Sequence, residues 1–300
     1  MTPVSGGARD AVVADLVAEG EEVDGLVAPL ELTGWATPTP APGWTVAHQI
    51  AHLASTDTAA LASVALGRGP RALGRWLVDT DQVGPALRTA GTSAGWAVRR
   101  GVRRWSPEDL SALVDALAQA GSRVDPPRLL TRWRTGRRRL AAGLADVRTN
   151  AKLWWIGMRL SPASMATARL METWAHGQDV ADALGVEREP TSRLRHIARL
   201  GVRTRDFGYR MHGLEPPATE FGVELAAPDG STWAWGPEGT TNRVTGPALD
   251  FCLLVTRRRH PDDLRLVAEG TAAQWLPIAQ AYAGSPGPGR EAAGNRPARK

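Results

Sequence analysis

Between Ser161-Pro162 and Gly185 the sequence spells one helix with both ends marked. Serine suits the N-cap, proline the first helical position, and glycine the residue just past the C-terminus. Met165, Ala168, Glu172, His176 and Asp179 fall near one inward face of that helix. An inward carboxylate needs a partner. Glu172 and His176 are four residues apart, so they share a face one turn apart. A carboxylate and an imidazole so placed are partial coordination for a divalent metal. The constraint on the fold is therefore a helical packing in which a second element brings a further ligand to this face.

A second helix supplies one. It is expected to start at Thr45, a suitable N-cap, and to run to Leu66 before Gly67. His48 and His52 lie on it one turn apart, with Asp57 further along. His52, Glu172 and His176 together make a three-ligand set drawn from two helices. Such a set leaves coordination positions open, as catalytic zinc sites do and structural ones do not. Zinc there could polarise a carbonyl or lower the pKa of a bound water or thiol. Asp179, one turn after His176, is a candidate to orient that imidazole. His48 is a candidate fourth ligand, acid–base group or partner behind the ligands. His48 and Asp179 are thus the two catalytic candidates.

The rest of the chain reads mainly as helix. Residues 9–27 form an amphipathic stripe of Val12, Val13, Leu16, Val17, Val23, Leu26 and Val27, with Glu19, Glu21 and Glu22 opposite. Thr37 to Gly43 holds three prolines and is a connector. Residues 68–105 suggest broken helix among many arginines. Ser106-Pro107-Glu108-Asp109 starts a helix ending near Gly121. Another spans Pro127 to Val147, with Leu129, Leu130, Trp133, Leu140 and Leu144 inward and Arg134, Arg137, Arg138 and Arg139 on a solvated face. Thr191 to His212 reads as one further helix.

The pattern changes after Gly213. Phe221, Val223 and Leu225 alternate with polar residues, Asp229-Gly230 turns, and Thr232-Trp-Ala-Trp235 returns as a hairpin. Strands at 242–245 and 264–268 and helices at 246–257 and 271–282 complete a small α+β domain. The expected organisation is a helical domain over 1–212, the α+β domain over 213–284 and a disordered tail over 285–300, rich in Gly, Pro and Arg.

Composition narrows the chemistry. Cys252 is the one cysteine, so no disulfide forms within the chain and cysteine-based metal sites are excluded. It sits in an apolar stretch and is expected to pack rather than react. Met1–Asp10 has no basic start and apolar run, and no stretch approaches the ~20 apolar residues of a membrane helix. The expected location is cytoplasmic. Residues 1–60 carry one Arg against eight acids, and 61–150 sixteen Arg against seven. No nucleic-acid reading motif accompanies that charge, so nucleic acid is not an expected partner. Phosphate-binding glycine loops and the Gly-x-Ser-x-Gly nucleophile elbow are absent from the sequence.

Gly43-Trp-Thr-Val-Ala-His-Gln-Ile-Ala-His-Leu53, followed by Glu172-Thr-Trp-Ala-His-Gly-Gln-Asp-Val180, resembles the mycothiol-dependent maleylpyruvate isomerase family, close to its uncharacterised actinobacterial-type metal-binding branch. The resemblance implies a DinB-like four-helix bundle. It also implies that Gly213–Ala283, with Val244-Thr-Gly-Pro-Ala-Leu-Asp-Phe251, is similar to the family's small sterol-carrier-protein-like domain. The family's metal histidine matches His52, and its Glu and His match Glu172 and His176. At the position of His48 many relatives carry Asp. The stretch 61–125 and the tail lie outside the likeness. Zinc, and mycothiol as cosubstrate, are what the resemblance implies. Three functions are in view. The first is a zinc-dependent, thiol-using isomerase or S-transferase acting on a small electrophile. The second is a thiol-independent metal-dependent hydrolase, lyase or cyclase. The third is a binding module with a structural metal.

Overall fold

A computed structural model describes residues 5–68, 107–155, 158–282, 284 and 289–295. The expected broken helix over 68–105 lies outside the described residues, Arg68 apart. The chain divides into two compact units, Met1–Val186 and Glu187–Lys300.

The first unit is built on four long helices: α1 (Ser5–Val27), α3 (Val46–Arg68), α5 (Pro126–Asp146) and α6 (Pro162–Leu184). A short α2 (Leu32–Trp35) precedes α3, and α4 (Pro107–Ser122) lies between α3 and α5 in sequence. α1 packs along α6 and α3 along α5, while α3–α6 and α1–α5 contacts close the bundle. α4 lies against α3, close enough that a Cβ on Gly121 would come within 2.8 Å of the Ala51 Cβ. The core is apolar and well filled, with Val23, Val27, Trp35, Ile50, Leu53, Leu129, Trp133 and Val180 buried together. Burial of this kind is the main stabilising term in such a bundle. α6 has the ends its sequence announces. Ser161 Oγ accepts from the Ser164 N–H at 3.1 Å, and Gly185 takes φ 68°.

Three surface expectations are corrected. Glu19 is fully buried, and Val17 is 40% exposed, because α1 is covered by α5 as well as α6. Arg134 and Arg137 do not form a free solvated face. The neighbouring edge of α1 is acidic, so Arg134 pairs with Asp24, and Arg137 with both Asp24 and Glu21. Hydrogen bonds from Arg134 hold the Asp24 carboxyl below its ordinary range against the opposing effect of burial, with Arg137 adding to them.

Two short strands, β1 (Leu153–Trp155) and β2 (Met158–Leu160), form a small antiparallel pair. The second unit holds α7 (Leu194–Arg203), α8 (Arg205–Met211), β3 (Gly222–Ala226), β4 (Thr232–Trp235), β5 (Arg243–Pro247), α9 (Ala248–Val255), β6 (Val267–Ala268) and α10 (Thr271–Trp275). The sheet order is β4-β3-β5-β6, with β3 and β5 parallel and the other pairs antiparallel. The expected boundary near residue 212 moves to Val186–Glu187, since α7 packs on α9 in this unit. The single helix expected over 191–212 breaks at Thr204, whose hydroxyl turns back onto the Leu200 and Gly201 carbonyls. The helix expected over 271–282 ends at Trp275, where Pro277 follows and a 3-10 turn takes over. Within the expected tail, Ala293–Asn295 forms a 3-10 turn whose Ala293 N–H donates to Asp263. Cys252 is fully buried, and burial pushes its thiol far up, which suits packing. Among the described residues no helix is long and apolar enough to cross a membrane.

Candidate metal centre

Periodicity on two neighbouring helices brings the site together. α3 projects His52 and α6 projects Glu172 and His176 into the seam between them. One donor atom from each of the three lies within 4.8 Å of the others. Glu172 Oε2 is the meeting point, 3.3 Å from His52 Nε2 and 3.2 Å from His176 Nε2. The two imidazole rings sit 4.2 Å apart between centroids. His52 is buried, and the other two are half-buried. Burial raises the Glu172 carboxyl, but hydrogen bonds and charge from His176 and His52 outweigh it and hold the group well below the usual carboxylate range.

Two nitrogens and one carboxylate oxygen at this spacing can hold a divalent metal ion, with coordination positions to spare. The His52 Nδ1 atom is buried and makes no hydrogen bond, so nothing competes with Nε2 for the ring's orientation towards Glu172.

The comparisons with known proteins agree with this architecture. Residues 16–181 match the profile described as the mycothiol maleylpyruvate isomerase N-terminal domain. The chain belongs to the mycothiol maleylpyruvate isomerase N-terminal domain family. Two uncharacterized proteins from strains of Mycobacterium tuberculosis are each 50% identical to it over 279 residues, covering 93% of this chain and 97% of theirs. Two solved structures share the fold. One, a histidine-to-alanine mutant of the mycothiol-dependent maleylpyruvate isomerase, has TM-score 0.55 and 13% identity, over 88% of this chain and 95% of that one. The other, the mycothiol-dependent maleylpyruvate isomerase itself, has TM-score 0.50 and 14% identity, over 83% and 89%. Residues 217–269 match a second profile, described as wyosine base formation.

Within this family member the two remaining sequence candidates stand apart from the three converging side chains. His48 Nδ1 accepts from the Thr45 N–H at 3.2 Å and meets the Thr45 hydroxyl at 2.9 Å. This reaches back to the N-cap as the third residue of a capping box does. His48 Nε2 faces Gln119 Oε1 at 3.0 Å and Ser122 Oγ at 3.2 Å. Both ring nitrogens therefore point away from Glu172. Asp179 is buried at 1% exposure, with Oδ2 4.0 Å from His176 Nδ1.

The group in contact with His176 Nδ1 is one that helical spacing did not single out: Gln49 Oε1, at 2.6 Å. Its position three residues before His52, on the same face of α3, is the signal in the sequence. Trp44 is the other omission. Its ring stacks on His176 at 5.9 Å and 17°, lies 5.5 Å from the His52 ring, and donates from Nε1 to Asp115 Oδ1 at 3.1 Å. Beneath the ligands, Arg169 Nε donates to Asp57 Oδ1 at 3.0 Å, with both side chains buried. Burial pushes Asp57 up, and the Arg169 guanidinium opposes it.

Proposed function

We propose that this chain is a zinc-dependent enzyme that uses a low-molecular-weight thiol, mycothiol, to isomerise a small electrophilic substrate or to join the thiol to it through its sulfur. The observation that carries this reading is the convergence of His52, Glu172 and His176 on one point, in a chain of the mycothiol maleylpyruvate isomerase family. A zinc ion held there supplies Lewis-acid polarisation and favours the ionised form of a thiol. The chain's own residues do the rest. Glu172 brings the negative charge that retains the cation. Trp44 covers the His176 ring and limits water at that side. Asp179 places a buried carboxyl behind His176, 4.0 Å from Nδ1, and steadies that ring. His48 fixes the start of α3 through Thr45 and ties it to α4 through Gln119 and Ser122.

The test is metal analysis of the purified protein and of His52→Ala and Glu172→Ala. One equivalent of zinc in the wild type and a loss in both variants is the expected result, and full occupancy in the variants sinks the site assignment. Thiol use is read separately, from the visible spectrum of the cobalt-substituted protein on addition of mycothiol. A spectral change is expected. An unchanged spectrum, with the metal in place, points to a thiol-independent reaction.

A further inference from the structure

The ligand His176 is oriented from outside its own helix. Its Nδ1 faces Gln49 Oε1 at 2.6 Å, Gln49 Nε2 faces Thr39 Oγ1 at 2.9 Å, and Thr39 Oγ1 faces the Trp44 carbonyl at 3.0 Å. A carbonyl oxygen accepts and never donates, so the proton in the last gap belongs to Thr39. The Thr39 oxygen then accepts from the Gln49 amide, which turns Oε1 towards His176 and requires a proton on His176 Nδ1. Reversing the Gln49 amide would draw the Thr39 hydroxyl proton away from the Trp44 carbonyl, which would then keep only the Thr39 N–H at 2.8 Å. Gln49 is fully buried, so water cannot take the place of a partner lost at its amide.

The consequence falls on the other ring nitrogen. With the proton on Nδ1, the neutral imidazole presents a lone pair at Nε2, 3.2 Å from Glu172 Oε2. A lone pair and a carboxylate oxygen at that distance repel unless a positive charge joins them, a second ring proton on the metal-free imidazole or a bound cation. His52 has no comparable support, since its Nδ1 is buried without a hydrogen bond.

We propose that Thr39 and Gln49 are positioning residues, a hydrogen-bond relay that fixes His176 in its Nδ1–H tautomer and so directs Nε2 towards a cation shared with Glu172 and His52. The relay begins in the proline-rich loop before α3. That loop thereby governs a ligand on α6, far from it in sequence. The inference takes its purpose from the metal reading, but its geometry stands on the three hydrogen bonds alone.

The experiment therefore has two readouts. Long-range proton–nitrogen NMR of the metal-free protein, labelled with ¹⁵N-histidine and kept above the imidazole titration range, gives the tautomer of His176, assigned with His176→Ala. Competition with a chromophoric chelator gives the zinc affinity. The wild type is expected to show the Nδ1–H form. Gln49→Leu is expected to lose it and to weaken zinc ~10–100-fold, the usual effect of removing the partner of a ligating histidine. Gln49→Glu keeps an acceptor on Nδ1 and is expected to restore both readouts. Thr39→Val tests the relay with a shape-preserving change outside the core, and is expected to give a mixture of tautomers. An Nε2–H form in the wild type, or an unchanged Nδ1–H form in both Gln49→Leu and Thr39→Val, overturns the relay. A wild type with the Nδ1–H form and no zinc uptake retains the relay and removes the metal reading.

Discussion

The helices α3 and α6 and the loop between Thr37 and Thr45 meet at one site by different physical means. The helices place His52, Glu172 and His176 by period alone, since residues one turn apart share a face. The loop has no period. Its shape comes from Pro38, Pro40 and Pro42, from Gly43 at φ 74°, and from backbone bonds joining Thr39 to Trp44 at 2.8 Å and Val46 to Thr37 at 3.1 Å. What the helices contribute is the three candidate ligands. What the loop contributes is the cover and orientation of those ligands, through Trp44 and Thr39. A metal centre of this kind divides into a part set by helical geometry and a part set by loop chemistry, and each can be broken separately.

The largest effect is expected on the helical side. Glu172→Gln keeps the shape of the side chain and removes its charge. Zinc affinity should fall by more than the ~100-fold upper range for an outer partner, because a ligand itself is lost. The metal-free variant should also melt lower, since the amide loses the charge that His176 and His52 favour. Chelator competition and a thermal melt together decide this. A variant that binds zinc within tenfold of the wild type would show that the carboxylate is not a ligand.

Next comes the support beneath the ligands. Asp57→Ala leaves the Arg169 guanidinium fully buried beside no carboxylate. Breaking a buried pair from one side costs about 3–5 kcal/mol. Chemical denaturation should register it as an earlier midpoint with an unchanged slope. A cost below ~1 kcal/mol would mean that water or another acceptor reaches Arg169.

This division also explains what was legible in the sequence. The Ser161-Pro162 start, the Gly185 stop and the four-residue spacings in α3 and α6 are local rules, so the two helices and their three converging side chains could be read from them, while the bundle came with the family resemblance. Gln49 was passed over because a glutamine on a helix face has no distinctive pattern of its own. Its role depends on His176, far away in sequence. Trp44 and Thr39 were passed over because proline-rich chain between helices reads only as non-helical. Glu19 and Arg137 were misplaced for a third reason: amphipathicity tells which face is apolar, not how wide a face the neighbouring helices cover. In the second unit the break at Thr204 leaves no mark in the helical pattern, which runs on through it.

A smaller effect separates bundle stability from the site. Asp24 joins α1 to α5 through Arg134 and Arg137, and its carboxyl lies below the ordinary 3.8 in the folded chain. A depressed carboxyl adds stability that is complete above its unfolded value and is lost as pH falls through its folded one. Asp24→Asn should therefore cost ~1.5–3 kcal/mol at neutral pH, the range for hydrogen bonds to charged groups. The gap to the wild type should close in acid. Urea midpoints across a pH series measure it. A constant gap down to the acid limit would remove the ion pairs as its cause. Zinc affinity should stay unchanged, since Asp24 lies on neither side of the metal centre's division.

The smallest expected effect is on the loop side, and it tests the comparison most directly. Trp44 touches the ligands through a ring stack on His176, and it is anchored at its far edge by one exposed hydrogen bond to Asp115. A stacked aromatic pair contributes ~0.5–1.5 kcal/mol beyond its burial. Trp44→Ala should therefore weaken zinc by about two- to twelvefold, while Trp44→Phe, which keeps a stacking ring and loses only the Asp115 bond, should stay within about twofold. Competition titrations on the two variants separate stack from anchor. Were Trp44→Ala to weaken zinc as much as Glu172→Gln does, the loop would be holding a ligand in place rather than covering it, and the line drawn between helix and loop would have to move to include Trp44 with His52, Glu172 and His176.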